Sequence, residues 1–82
     1  MSKKLKVIGI RVRERAVRAP ALQEVITRFG TDVTCRLGVP GPDKEDGLIL
    51  LVMEEEKAAA EIATELTAME GVEVKTLEFE DV

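Results

Sequence analysis

At 82 residues, with a net charge of −4, 45% apolar content and two aromatic side chains (both Phe), the chain reads as one small domain spanning residues 1–82. A domain of that size must draw its stability from many aliphatic side chains or from burial against another copy. The acidic balance argues against direct nucleic-acid binding, because neutralised phosphates supply most non-specific affinity.

The opening Met-Ser-Lys-Lys leads into alternating charged and apolar positions, so neither a signal peptide nor a membrane span is expected. Residues 5–12 read as a strand, with Ile8, Ile10 and Val12 on one face and Leu5, Val7 and Gly9 on the other. Two apolar faces mark a central strand. Arg11, Arg13 and Arg15 cluster at its end, which suits either a solvated edge or a site for a carboxylate or phosphate. A helix is expected from near Pro20, whose fixed φ fits a first turn. Leu22, Val25, Ile26 and Phe29 form its apolar stripe, and Gly30 supplies a left-handed end. Val33, Cys35 and Leu37 then alternate with Thr34 and Arg36, which predicts a half-buried edge strand with Cys35 in the core. A single cysteine forms no intrachain disulfide, and without histidine or a second thiol it gives no metal site. The expected compartment is the cytoplasm.

The stretch Arg36-Leu37-Gly38-Val39-Pro40-Gly41-Pro42, closing at Gly47, separates two strand–helix–strand readings. Glycines free the backbone there, prolines stiffen it, and Asp43-Lys44-Glu45-Asp46 is polar enough to be exposed. A loop of about nine residues is long for a hairpin, and long loops often carry function. Arg36 leaves its strand opposite Cys35, just before Gly38 lets the backbone approach something closely. That arrangement suits an anion site, and Arg36, Gly38, Val39, Pro40 and Gly47 are the candidate ligand-binding residues. Two alternatives stand beside it: an ion pair from Arg36 to a neighbouring subunit, and an ordinary mobile loop.

Residues 48–53 are apolar at every position, so this strand needs cover on both faces. Glu54, Glu55 and Glu56 complement the start of a second helix. Ala59, Ile62, Ala63, Leu66 and Met69 line one face of that helix, and Gly71 closes it. The final strand, 72–79, fits antiparallel beside the first with Ile10 opposite Val74. Arg11 then faces Glu73, Lys6 faces Glu78 and Lys4 faces Glu80, while Val12 meets Val72, Val7 meets Leu77 and Leu5 meets Phe79. A slip of one residue would destroy the whole set. This pairing also absorbs a charge asymmetry, with nine Lys/Arg against three Asp/Glu in residues 1–40 and three against thirteen in 41–82.

The element order βαββαβ predicts a four-stranded antiparallel sheet in the order 4-1-3-2 with both helices on one face, a ferredoxin-like α+β sandwich. Leu5, Val7, Leu77 and Phe79 would be left on the open face, which implies a homo-oligomer, a dimer or tetramer. The residue inventory excludes several activities. Lacking histidine and tyrosine, and with Ser2 as its one serine, the chain has no expected catalytic residue. It lacks the Cys-x-x-Cys of a soft-metal carrier, the stacking aromatics of an RNA-binding sheet and the asparagine of an acylphosphatase-like site.

Val7-Ile8-Gly9-Ile10, Ala19-Pro20, Phe29-Gly30, Arg36-Leu37-Gly38-Val39-Pro40 and Gly71-Val72-Glu73-Val74-Lys75 together carry a resemblance. The chain resembles the iron-only hydrogenase system regulators, an ACT-like group related in fold to the ligand-binding domain of nickel-responsive repressors. The resemblance implies a regulatory role, an ACT-like fold, self-assembly and a small-ligand site between subunits; no cofactor is expected. The chain departs from the nickel repressors in lacking every histidine, and its first strand leaves no ribbon–helix–helix segment, so DNA binding would need another protein. The expectation is a non-enzymatic, ligand-sensing regulatory homo-oligomer in control of a hydrogenase system. The alternative is a structural module that docks a partner protein and binds no small ligand.

Overall fold

β1 (Lys4–Val12) is apolar on both faces and hydrogen-bonded along both edges, and the sheet is built around it. The structure, a computed structural model, describes residues 4–41 and 45–80. After β1 come α1 (Arg15–Arg28), a 3-10 turn (Gly30–Asp32), β2 (Val33–Pro40), β3 (Gly47–Met53), α2 (Glu56–Thr67) and β4 (Val72–Glu80). The strands form one antiparallel sheet in the order β2-β3-β1-β4, the expected ferredoxin-like topology.

The β1–β4 register is the one the side chains dictate. Lys4 lies opposite Glu80, Lys6 opposite Glu78 and Arg11 opposite Glu73, while Leu5, Val7, Ile10 and Val12 meet Phe79, Leu77, Val74 and Val72. Each such pair contributes about 0.2–1 kcal/mol, and they all fail together if the strand slips. Lys4 also gathers Glu56, Glu78 and Glu80 at 3.6, 3.6 and 3.8 Å. These carboxylates, Glu56 foremost, hold its pKa above the ordinary lysine value. The lysine therefore stays charged through neutral pH, and on the basic side the ion pairs are lost as pH rises past the raised value.

Alternation along β1 sends Ile8, Ile10 and Val12 inward, where Leu51 and Met53 of β3 join them. Leu22 and Ile26 of α1 and Ala58, Ala59, Ile62 and Leu66 of α2 complete this buried cluster, so both helices cover the same face. Val25, Phe29, Met69, Val72 and Val74 pack around its margin. Glu55 caps α2 by accepting a hydrogen bond from the Lys57 N–H at 3.0 Å, and Glu56 opens its first turn.

Three local expectations are corrected. α1 begins at Arg15, not near Pro20, which lies inside the helix. The chain enters α1 through Glu14, a non-glycine residue at φ 50, and Arg15 to Ala19 are mostly good helix formers that extend the helix before the proline. Gly30 is not a left-handed helix end: Phe29 is the C-terminal cap and Gly30 starts the 3-10 turn. Cys35 is exposed rather than buried. A bulge between Val33 and Cys35 resets the alternation of β2: Val33 pairs with inward Met53, but Cys35 pairs with Val52 on the opposite face. Cys35, Leu37 and Val39 therefore lie on the open side of the sheet.

Gly71 does supply the left-handed backbone after α2, at φ 76. A Cβ there would also overlap the Arg18 side chain, including its Cδ at 2.8 Å. Gly71→Ala is expected to cost about 1–2 kcal/mol, seen as a fall in Tm on the order of 5–10 °C. An unchanged Tm would show that the turn adopts another backbone at no cost.

Candidate ligand-binding cleft

The helices cover β1 and β3 but leave β2 almost wholly exposed, so a cleft opens between α1 and the inward side of β2 and β3. Its volume is about 390 Å³, and Arg36, Gly38, Val39, Pro40 and Gly47 all line it. Val12, Leu22 and Ile49 give it an apolar floor, and Arg15 and Gln23 of α1 face the strands across it.

The bulge in β2 determines which side chains enter. Past it, Arg36 lies opposite buried Leu51 and turns toward α1, where its Nη2 donates a hydrogen bond to the Gln23 Oε1. Gly38, opposite Ile49, has no atom within 4 Å of where a Cβ would stand. No close approach within the chain requires this glycine; the missing side chain leaves the cleft wall open instead. Val39 belongs by register to the open face, opposite Leu48, and borders the cleft along the edge strand. Pro40 pairs with Gly47 at the end of the ladder, so the connection is shorter than the sequence suggested, residues 41–46. Proline is tolerated there because β2 is an edge strand and one side of its backbone needs no partner.

The base of this loop is pinned to the entry of α1. The Gly41 N–H donates to the Asp46 carbonyl at 2.9 Å, and a Cβ on Gly41 would stand 2.8 Å from that oxygen. The Arg15 N–H donates to the Glu45 carbonyl at 2.8 Å. The Asp46 carboxylate accepts from the Glu14 N–H at 3.2 Å and from Arg11 at 3.4 Å. These bonds offset the strain of the left-handed Glu14 and hold the Arg15 stem against Gly47, whose Cβ position lies 3.4 Å from the Arg15 Cδ. Pro42, Asp43 and Lys44, read as part of an exposed loop, lie outside the described residues.

Arg15 and Gln23 were missing from the candidate set. Arg15 carried a faint signal as the last of the clustered arginines after β1; Gln23 carried none. Among the described residues no three of the His, Cys, Asp and Glu side chains gather as a metal site, and no helix is long and apolar enough to cross a membrane.

A family model described as "TM1266-like: Iron-only hydrogenase system regulator, putative" matches residues 4–76. The chain belongs to this family. No curated protein sequence matches the chain. Among solved structures, the fold is similar to TM1266 of Thermotoga maritima, with a TM-score of 0.83 and 22% identity over 96% of this chain and 99% of that one. It is also similar to a Thermus thermophilus protein described as "a putative PII-like signaling protein", at TM-score 0.72 and 18% identity over 99% of this chain and 91% of that one. A third is CPII, a nitrogen regulatory PII-like protein of Thiomonas intermedia, solved bound to ADP, AMP and bicarbonate. CPII gives a TM-score of 0.67 and 13% identity over 98% of this chain and 97% of that one. The TM1266-like family thus has the same ferredoxin-like fold as PII-like signalling proteins.

Proposed function

We propose that this protein is a non-enzymatic, cytoplasmic regulator that works as a homo-oligomer and senses a small ligand, in keeping with the family's link to hydrogenase systems. The observation that carries this reading is the cleft between α1 and β2, a concave site floored by aliphatic side chains, with a few polar groups converging on it. The fold is compatible with small-ligand binding, since a protein of similar structure was solved with ADP, AMP and bicarbonate. The residue inventory supports a non-enzymatic role, because no histidine, tyrosine or second cysteine is available for chemistry.

A melting screen against a metabolite library tests the reading. A ligand at a hundred times its Kd should stabilise the fold by about 2.7 kcal/mol and raise Tm by more than about 10 °C in a domain this small. If no metabolite raises Tm while a partner protein does, the domain is an interaction module and the ligand-sensing reading fails.

A further inference from the structure

We infer that the cleft selects a small organic anion, a carboxylate or phosphate ester attached to an apolar body. This rests on the cleft being a ligand site and adds the chemistry of its occupant. The first observation is a contrast among the arginines. Arg11 pairs with Asp46, Arg18 with Glu14 and Arg28 with Glu65, all outside the lining of the cleft. Arg13, outside the cleft, stands without a carboxylate among the described residues; so do Arg15 and Arg36, and these two converge on the cleft from opposite walls. In a chain with 16 Asp and Glu against 12 Lys and Arg, two cationic groups facing one cavity without an acidic partner leave its positive charge uncompensated.

The second observation is how these guanidiniums are held. Arg36 is oriented by a neutral acceptor, the Gln23 amide oxygen, and its other N–H groups remain to fork onto an oxyanion. The Arg15 stem rests against Gly47, and its own backbone N–H is bonded to Glu45, so the cleft's α1 wall is fixed before any ligand arrives. The third observation is the floor. Val12 and Leu22 are buried and Ile49 partly so, an aliphatic surface that suits a flat apolar group and leaves a free inorganic ion poorly served. The volume of about 390 Å³ exceeds what a single phosphate or carboxylate would fill.

The test follows the amide shifts of Gly38, Gly47 and Ile49 by heteronuclear NMR with four probes: phenyl phosphate, phenylacetate, inorganic phosphate and benzyl alcohol. Phenyl phosphate or phenylacetate should move these amides saturably, and which one binds tighter separates a phosphate ligand from a carboxylate ligand. Inorganic phosphate and benzyl alcohol should each bind at least about tenfold more weakly. Arg15→Ala and Arg36→Ala should each weaken the preferred anion about tenfold or more, with Arg36→Lys recovering part of the loss. Added salt should weaken the anion and leave benzyl alcohol unaffected. If benzyl alcohol binds as well as the anions and the arginine variants change nothing, the anion class is wrong while the cleft remains a ligand site. If no small molecule moves the cleft amides, the ligand-site reading fails and this inference with it. If Arg36→Ala instead dissociates an assembled protein, the guanidinium serves a neighbouring copy and the inference is overturned.

Discussion

Val7→Lys should convert the proposed assembly into a folded monomer. Val7 occupies the middle of the open face, in a row of cross-strand neighbours that runs Cys35, Val52, Val7, Leu77. Leu37, Leu77 and Phe79 on the same face are 53%, 60% and 51% exposed, so an apolar surface crosses the sheet from one edge strand to the other. Soluble monomers rarely leave such a surface wet, and a second copy would bury it. A lysine at its centre would place an unpaired ammonium in that contact at a cost of several kcal/mol, enough to lower an association constant by orders of magnitude. In the monomer the same lysine faces water at little cost. Sedimentation should show the loss of assembly, and circular dichroism should show helices unchanged. Leu77→Lys repeats the test nearer the edge. Cys35 offers an independent reading from the same row: its thiol should react slowly with an alkylating reagent in the assembled protein and quickly in either variant. A wild-type chain that sediments as a monomer at micromolar concentration would remove the premise.

Ile62→Ala should be strongly destabilising, as a truncation at the centre of the core. Ile62 is fully buried on α2, in one cluster with Ile8, Ile10 and Leu51. Truncating such a buried side chain costs about 2–5 kcal/mol, the transfer loss plus the cavity left behind. A domain this small has roughly 5–8 kcal/mol to lose from, so Tm should fall by more than about 10 °C, with a measurable fraction unfolded at physiological temperature. Val17→Ala, at a side chain 74% exposed on the outer turn of α1, is the matched control and should stay within about 0.5 kcal/mol. Equal losses at the two positions in thermal melts would mean that α2 does not hold the core.

The legibility of this chain differs from strand to strand for physical reasons. β1 and β4 could be aligned from sequence because three oppositely charged pairs and a run of apolar pairs are satisfied in one register and spoiled by any slip. The core stripe of α2 was equally plain, since Ala59, Ile62 and Leu66 repeat at helical spacing and all are buried. β2 misled because a bulge adds one residue that leaves no mark in composition, and everything after it changes face relative to Val33. The start of α1 misled for a related reason. Its signal is a left-handed Glu14, a conformation normally announced by glycine or asparagine. The cleft was half visible: Arg36, Gly38 and Pro40 stood out along β2, but Arg15 and Gln23 meet them only through the packing of α1, which no local pattern encodes.

The bulge also makes β2 a shared partition. After Thr34, its odd-numbered residues, Cys35, Leu37 and Val39, belong to the face proposed to meet another copy, and Arg36, Gly38 and Pro40 belong to the cleft. The two compartments are separated by the thickness of one backbone, at the edge of the sheet where the strand is braced on one side only. Any shift of β2 that suits a guest on one side is felt on the other without an intervening relay. Thermodynamic reciprocity then sets the terms: a guest that tightens self-association by some factor is itself held more tightly by the associated form, by that same factor.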